Sequence, residues 1–393
     1  MTQKSILHSI RILDFTRVLA GPYATRLLAD FGAEVIKVNY THTPLENDKF
    51  SRGYYYTWNR NKRGITLDLN KPEGLAIAKK LVSISDAVVE NFAPRVMANW
   101  GLDYPNLKLI KPDIIMLSMS VMGQTGPLRD YIGFGPTVQA FSGITSLTAY
   151  PGSPPVGPGF SYADHIAGLF GCITLLNALE YRRKTGAGQH IDLSEVESMA
   201  YLLGDAIVEY TLKGVEPQPA GNAGQQACPH GVYRCQGEDR WCAIAVFTDE
   251  HWSALKQCLG NPSWSEERQF ATLMDRLKNA PALDALIESW TKQHTAEEVM
   301  AVLQSKGVPA GVVQNAADIA RDPQLRARGF LVEMAHPEME KTISDAAPVK
   351  LSATPAQYTR PAPTPGQDND YVYKGLLGMT EQELAELKKK GVI

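Results

Sequence analysis

Between residues 10 and 120 the sequence alternates short apolar runs with amphipathic segments, and this alternation constrains the fold more than any other feature. IRILDFT reads as a strand, GPYATRLLADFGA as an amphipathic helix closed by Gly32, and EVIKVNY as the next strand. GITLDL, the helical KPEGLAIAKKLVSI, DAVVENF, the helical YPNLKLIKP and DIIMLSMS repeat the pattern. Strands that alternate with helices must be joined by crossovers, so the expected fold is α/β, with a mostly parallel, Rossmann-like sheet covered by helices on both faces.

Beyond a Gly/Pro-rich stretch ending near residue 160, DHIAGLFGCITLLNALEYRRKTG predicts a long helix. Its Ile166, Leu169, Phe170, Ile173, Leu175 and Leu176 form a broad apolar stripe, expected to be buried between layers. The strand QHIDLS and a single helix over EVESMAYLLGDAIVEYTLKG follow, then the Gly/Pro/Ala-rich EPQPAGNAGQQACPHG. From Val232 the character changes. YRCQ and RWCAIAVF read as an antiparallel hairpin, and Thr295 with Glu298 and Thr380 with Glu383 make capping boxes. FLVEMAHP and TISDAAPVKLS are further strands, and RPAPTPGQDND is an extended connection. At 393 residues, a large domain over 1–224 and 323–393 with a smaller α+β domain over 225–322 is expected.

Charge and composition exclude several classes of function. The formal net charge is −3 and no basic run is longer than the KKK near the C-terminus, which gives a nucleic-acid or membrane-surface role little support. The first residues lack a signal-peptide core and no apolar run is read as membrane-spanning, so the expected location is cytoplasmic. Five cysteines in a chain of this length do not suggest a disulfide framework, and the seven-residue spacing of Cys228, Cys235 and Cys242 is not a zinc chelate. These read as buried thiols, and no metal is expected. The turn after the first strand, TRVLAGPY, lacks G-x-G-x-x-G, and there is no Walker A run, G-x-S-x-G elbow or H-E-x-x-H.

What remains is a carboxylate. In GFSYADHIAG, Asp164 opens the long helix, with Ser161 placed to cap the same turn. By position alone it reads first as an acid that stabilises the helix dipole, and second as a nucleophile with backbone N–H groups nearby for an oxyanion. His165 follows it directly, about 100° around the helix, so the two side chains need not meet.

FTRVLAGPYATRLLADFGAEVIKV, NRNKRGITLDLNKPEG, VVENFAPRVM, MGQTGP, the Asp164 segment, RRKTGAGQHIDLS and GVPAGVVQNAADIARDPQLRARGF, in this order along nearly the whole chain, resemble the class III CoA-transferase family. That family includes formyl-CoA transferase and carnitine CoA-transferase. The resemblance implies that Asp164 attacks an acyl-CoA thioester, giving a mixed anhydride and later an enzyme-CoA thioester, with no bound cofactor. It implies that Val18, Leu19 and Ala20 line the slot for the pantetheine arm, beside Asn91 and Phe92, with Leu67 near the adenine. Arg17, Lys37, Lys62 and Arg63 are candidate partners for the CoA phosphates. The resemblance also implies an interlocked homodimer.

The sequence departs from the family pattern at Asn39, Asn99, Pro365 and Asp368. In IGFGPTVQAFSG, Phe134 stands where the related α-methylacyl-CoA racemases carry a catalytic His, which favours transfer over racemisation. A non-catalytic acyl-CoA-binding protein is the other alternative. The loops at 131–135, 150–162 and 221–229 are aromatic with few charges, and lean toward a medium or aromatic acid, with Arg129 available to pair with a second carboxylate.

Overall fold

A computed structural model of the chain describes residues 5–41 and 49–393. Its central feature is a six-stranded parallel sheet of β1 (Arg11–Asp14), β2 (Glu34–Asn39), β3 (Arg63–Thr66), β4 (Ala87–Glu90), β5 (Ile115–Ser120) and β6 (His190–Ser194), in the order β3-β2-β1-β4-β5-β6. The chain winds outward from β1 to β3, returns, and winds outward again from β4 to β6. Ile12 therefore pairs with Val35 on one side and with Ala87 on the other. A crevice opens beyond the carboxyl ends of β1 and β4, where a doubly wound sheet changes direction.

The intervening helices are α1 (Ala20–Asp30), α2 (Lys49–Trp58), α3 (Pro72–Ser83), α4 (Arg95–Asn99), α5 (Tyr104–Ile110), α6 (Gly135–Phe141), α7 (Ile144–Leu147), α8 (Tyr162–Thr185), α9 (Glu195–Ala200) and α10 (Gly204–Lys213). Strand alternation divides the core between the two faces of the sheet. Leu13, Ile36, Val88 and Met116 pack with Ile77 and Leu81 of α3, whereas Ile12, Val35, Val89 and Leu117 pack with Ala24 and Leu28 of α1. Helices α2 and α6 fall where the sequence suggested no helix. In α6 the Pro lies in the first turn, where a missing N–H costs nothing, so a Gly-Pro pair that reads as a loop opens a helix. The single helix expected after β6 is broken instead, with a 3-10 turn at Tyr201–Leu203 and Gly204 starting α10.

The expected apolar stripe of α8 is corrected. The buried face is made of Ala163, Ala167, Gly168, Gly171, Leu175, Ala178 and Leu179. Leu169, Ile173 and Leu176 are exposed, and of the expected stripe only Leu175 is fully buried. A Cβ at Gly168 would lie 2.9 Å from the Ala20 carbonyl oxygen, so the small-residue face lets α8 lie close against α1. Where nearly every position is apolar, periodicity does not say which face wins; the need for close approach does. By length and composition α8 is also apolar enough to cross a membrane, contrary to the sequence reading, yet it packs as a core helix on α1 and the sheet.

The chain divides into two compact units, 1–145 with 157–217 and 324–393, and 146–156 with 218–323. In the second, β7 (His230–Arg234), β8 (Trp241–Ala245) and β9 (Ala310–Val312) form an antiparallel sheet over which Cys228, Cys235 and Cys242 are buried as free thiols. Its helix at Ala296–Ser305 begins with the Thr295–Glu298 capping box. In the first unit, the hairpin β10 (Leu331–His336) and β11 (Glu340–Asp345) is tied back by Asp345 to Arg26 at 2.7 Å. Asp368, one of the departures from the family pattern, accepts a bond from Gly64 N at 2.9 Å and pairs with Arg63 and Arg360. It anchors the proline-rich connection to the outer strand β3.

Candidate active site

Asp14, at the carboxyl end of β1, organises the turn that leads into α1. It is fully buried and accepts bonds from Thr16 N at 2.8 Å, Thr25 Oγ1 at 2.7 Å and Lys62 Nζ at 3.0 Å, with Lys37 Nζ at 3.4 Å. Burial by itself raises a carboxyl, but the two ammonium groups and the Thr16 and Thr25 hydroxyls more than reverse this and hold Asp14 far below the usual range. Two cations on one anion leave a surplus positive charge. Burial accordingly pushes Lys37 down to about 7 and Lys62 down to about 8, against the pull of Asp14.

The turn itself is strained. Val18 has φ of 63°, a left-handed conformation that a β-branched side chain adopts at a cost of about 1–3 kcal/mol. Asn91, on the loop after β4, holds it in place: Asn91 Oδ1 accepts from Arg17 N at 2.7 Å and Asn91 Nδ2 donates to Arg17 O at 2.9 Å. The side-chain amide thus pairs with the main chain on both sides of one residue, and ties the ends of β1 and β4 together across the crevice.

Asp164 reaches this crevice from α8. It is 9% exposed, in the first turn, and the main-chain N–H of Ala20 at the start of α1 is near enough to favour its anionic form. Burial raises its carboxyl above the ordinary Asp value, while the neighbouring His165 and the N–H groups of Ala20 and Asp164 act in the other direction. The N-termini of α1 and α8 both face the carboxylate and favour its anionic form. Ser161 occupies the N-cap position but makes no side-chain cap bond; its carbonyl instead accepts from His165 N and lies 2.7 Å from His165 Nδ1. The His165 ring sits among Tyr23, Trp58 and Phe160, with ring centres 5.1, 5.2 and 4.8 Å away. It is a packed ring rather than a base directed at Asp164.

A cavity of about 220 Å³ lies here, bounded by Arg17, Val18, Asn91 and Phe92, by Arg129 and Phe134, and by Asp164 and Glu195. A larger hollow of about 610 Å³ lies between α2 and the β10–β11 hairpin, lined by Tyr54, His336 and Asp345, and does not include Asp164. The smaller cavity is the candidate site, because it alone of the two joins a carboxylate, helix N-termini and the crevice of the sheet.

The profile of CoA-transferase family III matches residues 7–369. The chain belongs to CoA-transferase family III. It is 36% identical, over 98% of both chains, to succinyl-CoA–D-citramalate CoA-transferase of Chloroflexus aurantiacus. It is 31% identical to succinate–glutarate CoA-transferase of Agrobacterium fabrum, over 93% of this chain and 94% of that one. Among solved structures, a CAIB/BAIF family protein from Brucella suis aligns with a TM-score of 0.87 at 32% identity, covering 95% of this chain and all of its own.

In this CoA-transferase the residues singled out from sequence fall into two groups. Val18, Asn91, Phe92 and Asp164 line one cavity, with Leu19 and Ala20 buried in the turn behind Val18. Phe92 stands edge-on to Trp100 at 5.6 Å, and its N–H donates to Glu90. The other group is consumed by the fold. Leu67 is in the core at 1% exposure, so its side chain is closed to an adenine. Lys37 and Lys62, expected at phosphates, direct their ammonium groups to Asp14, and Arg63 lies over the Tyr371 ring and pairs with Glu34 and Asp368. Arg17 borders the cavity, but its guanidinium is engaged with the main chain, donating to Val38 O at 2.7 Å.

Three positions escaped the sequence reading. Asp14 looked like a strand residue, and only the pairing of β1 with β2 brings Lys37 to it. Gly135 lies against the site: a Cβ there would be 2.7 Å from Asp164 Oδ2 and 2.8 Å from Ser161 Oγ. Glu195 was read merely as the start of a helix. It is 6% exposed, and burial, then the charge of Asp164, push its carboxyl up to about 8.

Proposed function

We propose that the enzyme moves CoA from an acyl-CoA thioester to an acceptor carboxylate, with Asp164 as the nucleophile. The observation that carries this reading is the Asp164 carboxylate itself, buried in the cavity at the sheet crevice with the N–H of Ala20 nearby. Attack on the thioester gives an aspartyl mixed anhydride and CoA thiolate. The thiolate then attacks the Asp164 carbonyl and releases the donor acid, leaving an enzyme-CoA thioester. The acceptor carboxylate attacks that thioester, and the returning CoA completes the exchange, so the energy of the thioester bond is kept throughout. The N–H groups at the starts of α1 and α8 are placed to stabilise charge on the carbonyl oxygen.

The turn over Val18, Leu19 and Ala20, clamped by Asn91 beside Phe92, is the proposed seat of the pantetheine arm. Arg129, exposed at the cavity and paired only loosely with Asp130 at 3.6 Å, is the cation available to a second carboxylate. With relatives named for succinyl-CoA and glutarate, this favours a dicarboxylic substrate over the medium or aromatic acid suggested by the loops. The exposed Leu169, Ile173 and Leu176 of α8, with Ile207, Val208 and Leu212 of α10, support a homodimer in which a second copy covers them. A cytoplasmic location and a large domain over 1–224 and 323–393 with a small one over 225–322 complete the reading.

Incubation with succinyl-CoA followed by hydroxylamine and peptide mass spectrometry is the direct test. A modification at Asp164, absent from Asp164→Asn together with a loss of transfer of about a thousandfold or more, is expected. CoA exchange that persists in Asp164→Asn refutes the assignment.

A further inference from the structure

Glu195 shares the 220 Å³ cavity with Asp164. It opens α9, whose N-cap Ser194 accepts from Glu197 N, and the next N–H, of Val196, donates to Val121 O at 3.0 Å beyond the end of β5. Among the described residues, Asp164 shares the cavity with it from α8, Arg17 from the turn after β1, and Arg129 and Tyr131 from the loop before α6. Glu90 at the end of β4 is pushed up to about 7, chiefly by burial and also by the charge of Asp192 on β6, and Tyr54 of α2 feels the charge of Asp164. Neither arginine is directed to Glu195: Arg17 donates to Val38 O and Arg129 pairs with Asp130.

Two carboxyl groups sharing so small a space do not both ionise at neutral pH. Asp164 takes the charge, because the Ala20 N–H and the starts of α1 and α8 favour its anion, whereas Glu195 has only the start of the short helix α9. Glu195 keeps its proton, consistent with a carboxyl pushed up to about 8. The enzyme therefore holds one anion and one acid in the same cavity.

We propose that Glu195 is the acid and base that protonates the CoA sulfur when it leaves the thioester and deprotonates it when it returns. This rests on Asp164 being the nucleophile. In the first step the Asp164 carboxylate forms a bond to the acyl carbon, the C–S bond breaks with its electron pair on sulfur, and the Glu195 proton passes to that sulfur. The products are the aspartyl anhydride, CoA thiol and the Glu195 carboxylate. In the second step Glu195 takes the proton back as sulfur attacks the Asp164 carbonyl, and the donor acid leaves as its carboxylate. The coupling is built into the pair: acylation removes the negative charge of Asp164, which is what opposed ionisation of Glu195, so Glu195 becomes a stronger acid when the thiolate appears. The net charge of the two groups is minus one before and after the first step and zero after the second, when the donor acid carries the negative charge away as its carboxylate.

The test is Glu195→Gln, which keeps size and hydrogen bonding but cannot exchange a proton. Assayed with succinyl-CoA and a dicarboxylate acceptor, the variant is expected to keep KM within a few fold, lose kcat by about a hundredfold or more, and lack the basic limb expected of the wild type near pH 8. Hydroxylamine-trappable modification of Asp164 is expected in both proteins. An unchanged kcat and basic limb, with Asp164 modified in both, overturns the role of Glu195 alone. No modification of Asp164 in either overturns both readings. A measurement on the wild type needs no variant: in weakly buffered solution at pH 7, a single round of acylation followed with an indicator dye should take up no proton from solvent. One proton taken up per Asp164 acylated overturns the proposal.

Discussion

Gly135→Ala is the sharpest probe of how closely the Asp164 carboxylate is held. The added methyl would lie 2.7 Å from Asp164 Oδ2 and 2.8 Å from Ser161 Oγ, closer than carbon and oxygen approach without a bond, so one of the three groups must move. Asp164 cannot give way freely, since it is only 9% exposed. Gly135 is also confined, as the first residue of α6, with Pro next to it. Relief by a shift of about half an ångström turns the carboxylate from the Ala20 N–H and from the acyl carbon. A misplacement of about 1 Å costs a rate of about a hundredfold, and overpacking a site costs about 1–3 kcal/mol of stability. Steady-state CoA transfer and urea unfolding measure the two effects. The expected result is a kcat lowered by about ten- to a hundredfold, with a fall in stability of that size. A variant with kcat within twofold of wild type and an unchanged unfolding midpoint refutes the view that Gly135 is required by contact with Asp164.

Asn91→Ala leaves the Arg17 N–H and C=O without their partners, which costs about 1–3 kcal/mol and frees the strained turn at Val18. Unfolding should weaken by that amount while KM for acyl-CoA rises more than kcat falls; the opposite split counts against the turn as the CoA seat. Asp14→Asn strips the buried Lys37 and Lys62 of their counter-charge and should destabilise the protein by about 3–5 kcal/mol in urea unfolding, a loss under 1 kcal/mol refuting the ion cluster as an organiser of the turn. Lys37 has a folded value of about 7 against an ordinary 10.5. Between these the unfolded chain binds the extra proton, so the contribution of Lys37 to stability rises as pH climbs from about 7 toward 10. Lys37→Met should flatten that rise between pH 7 and 9, and an unchanged slope contradicts the assignment.

The alternation of strand and helix, and with it the parallel sheet, was legible in the sequence because both depend on local periodicity. Capping boxes at Thr295 and Thr380 were legible for the same reason, since the two partners are three residues apart. Asp164 stood out by its place at the start of a long helix, but its chemistry did not: a first-turn acid looks the same whether it faces solvent or a cavity. The tertiary structure decided which. It placed the N–H of Ala20 against Asp164, and Gly135 and Glu195 beside it, from separate parts of the chain. It also turned Lys37 inward, because β2 pairs with β1 and Asp14 waits at the end of that strand, a relation between residues 23 positions apart. The small-residue face of α8 was selected against α1 over the bulkier apolar side. Local pattern determines elements because neighbouring residues share a backbone geometry. The fate of a charge or an apolar side chain depends on what the fold brings to it, and that is a property of the packed chain alone.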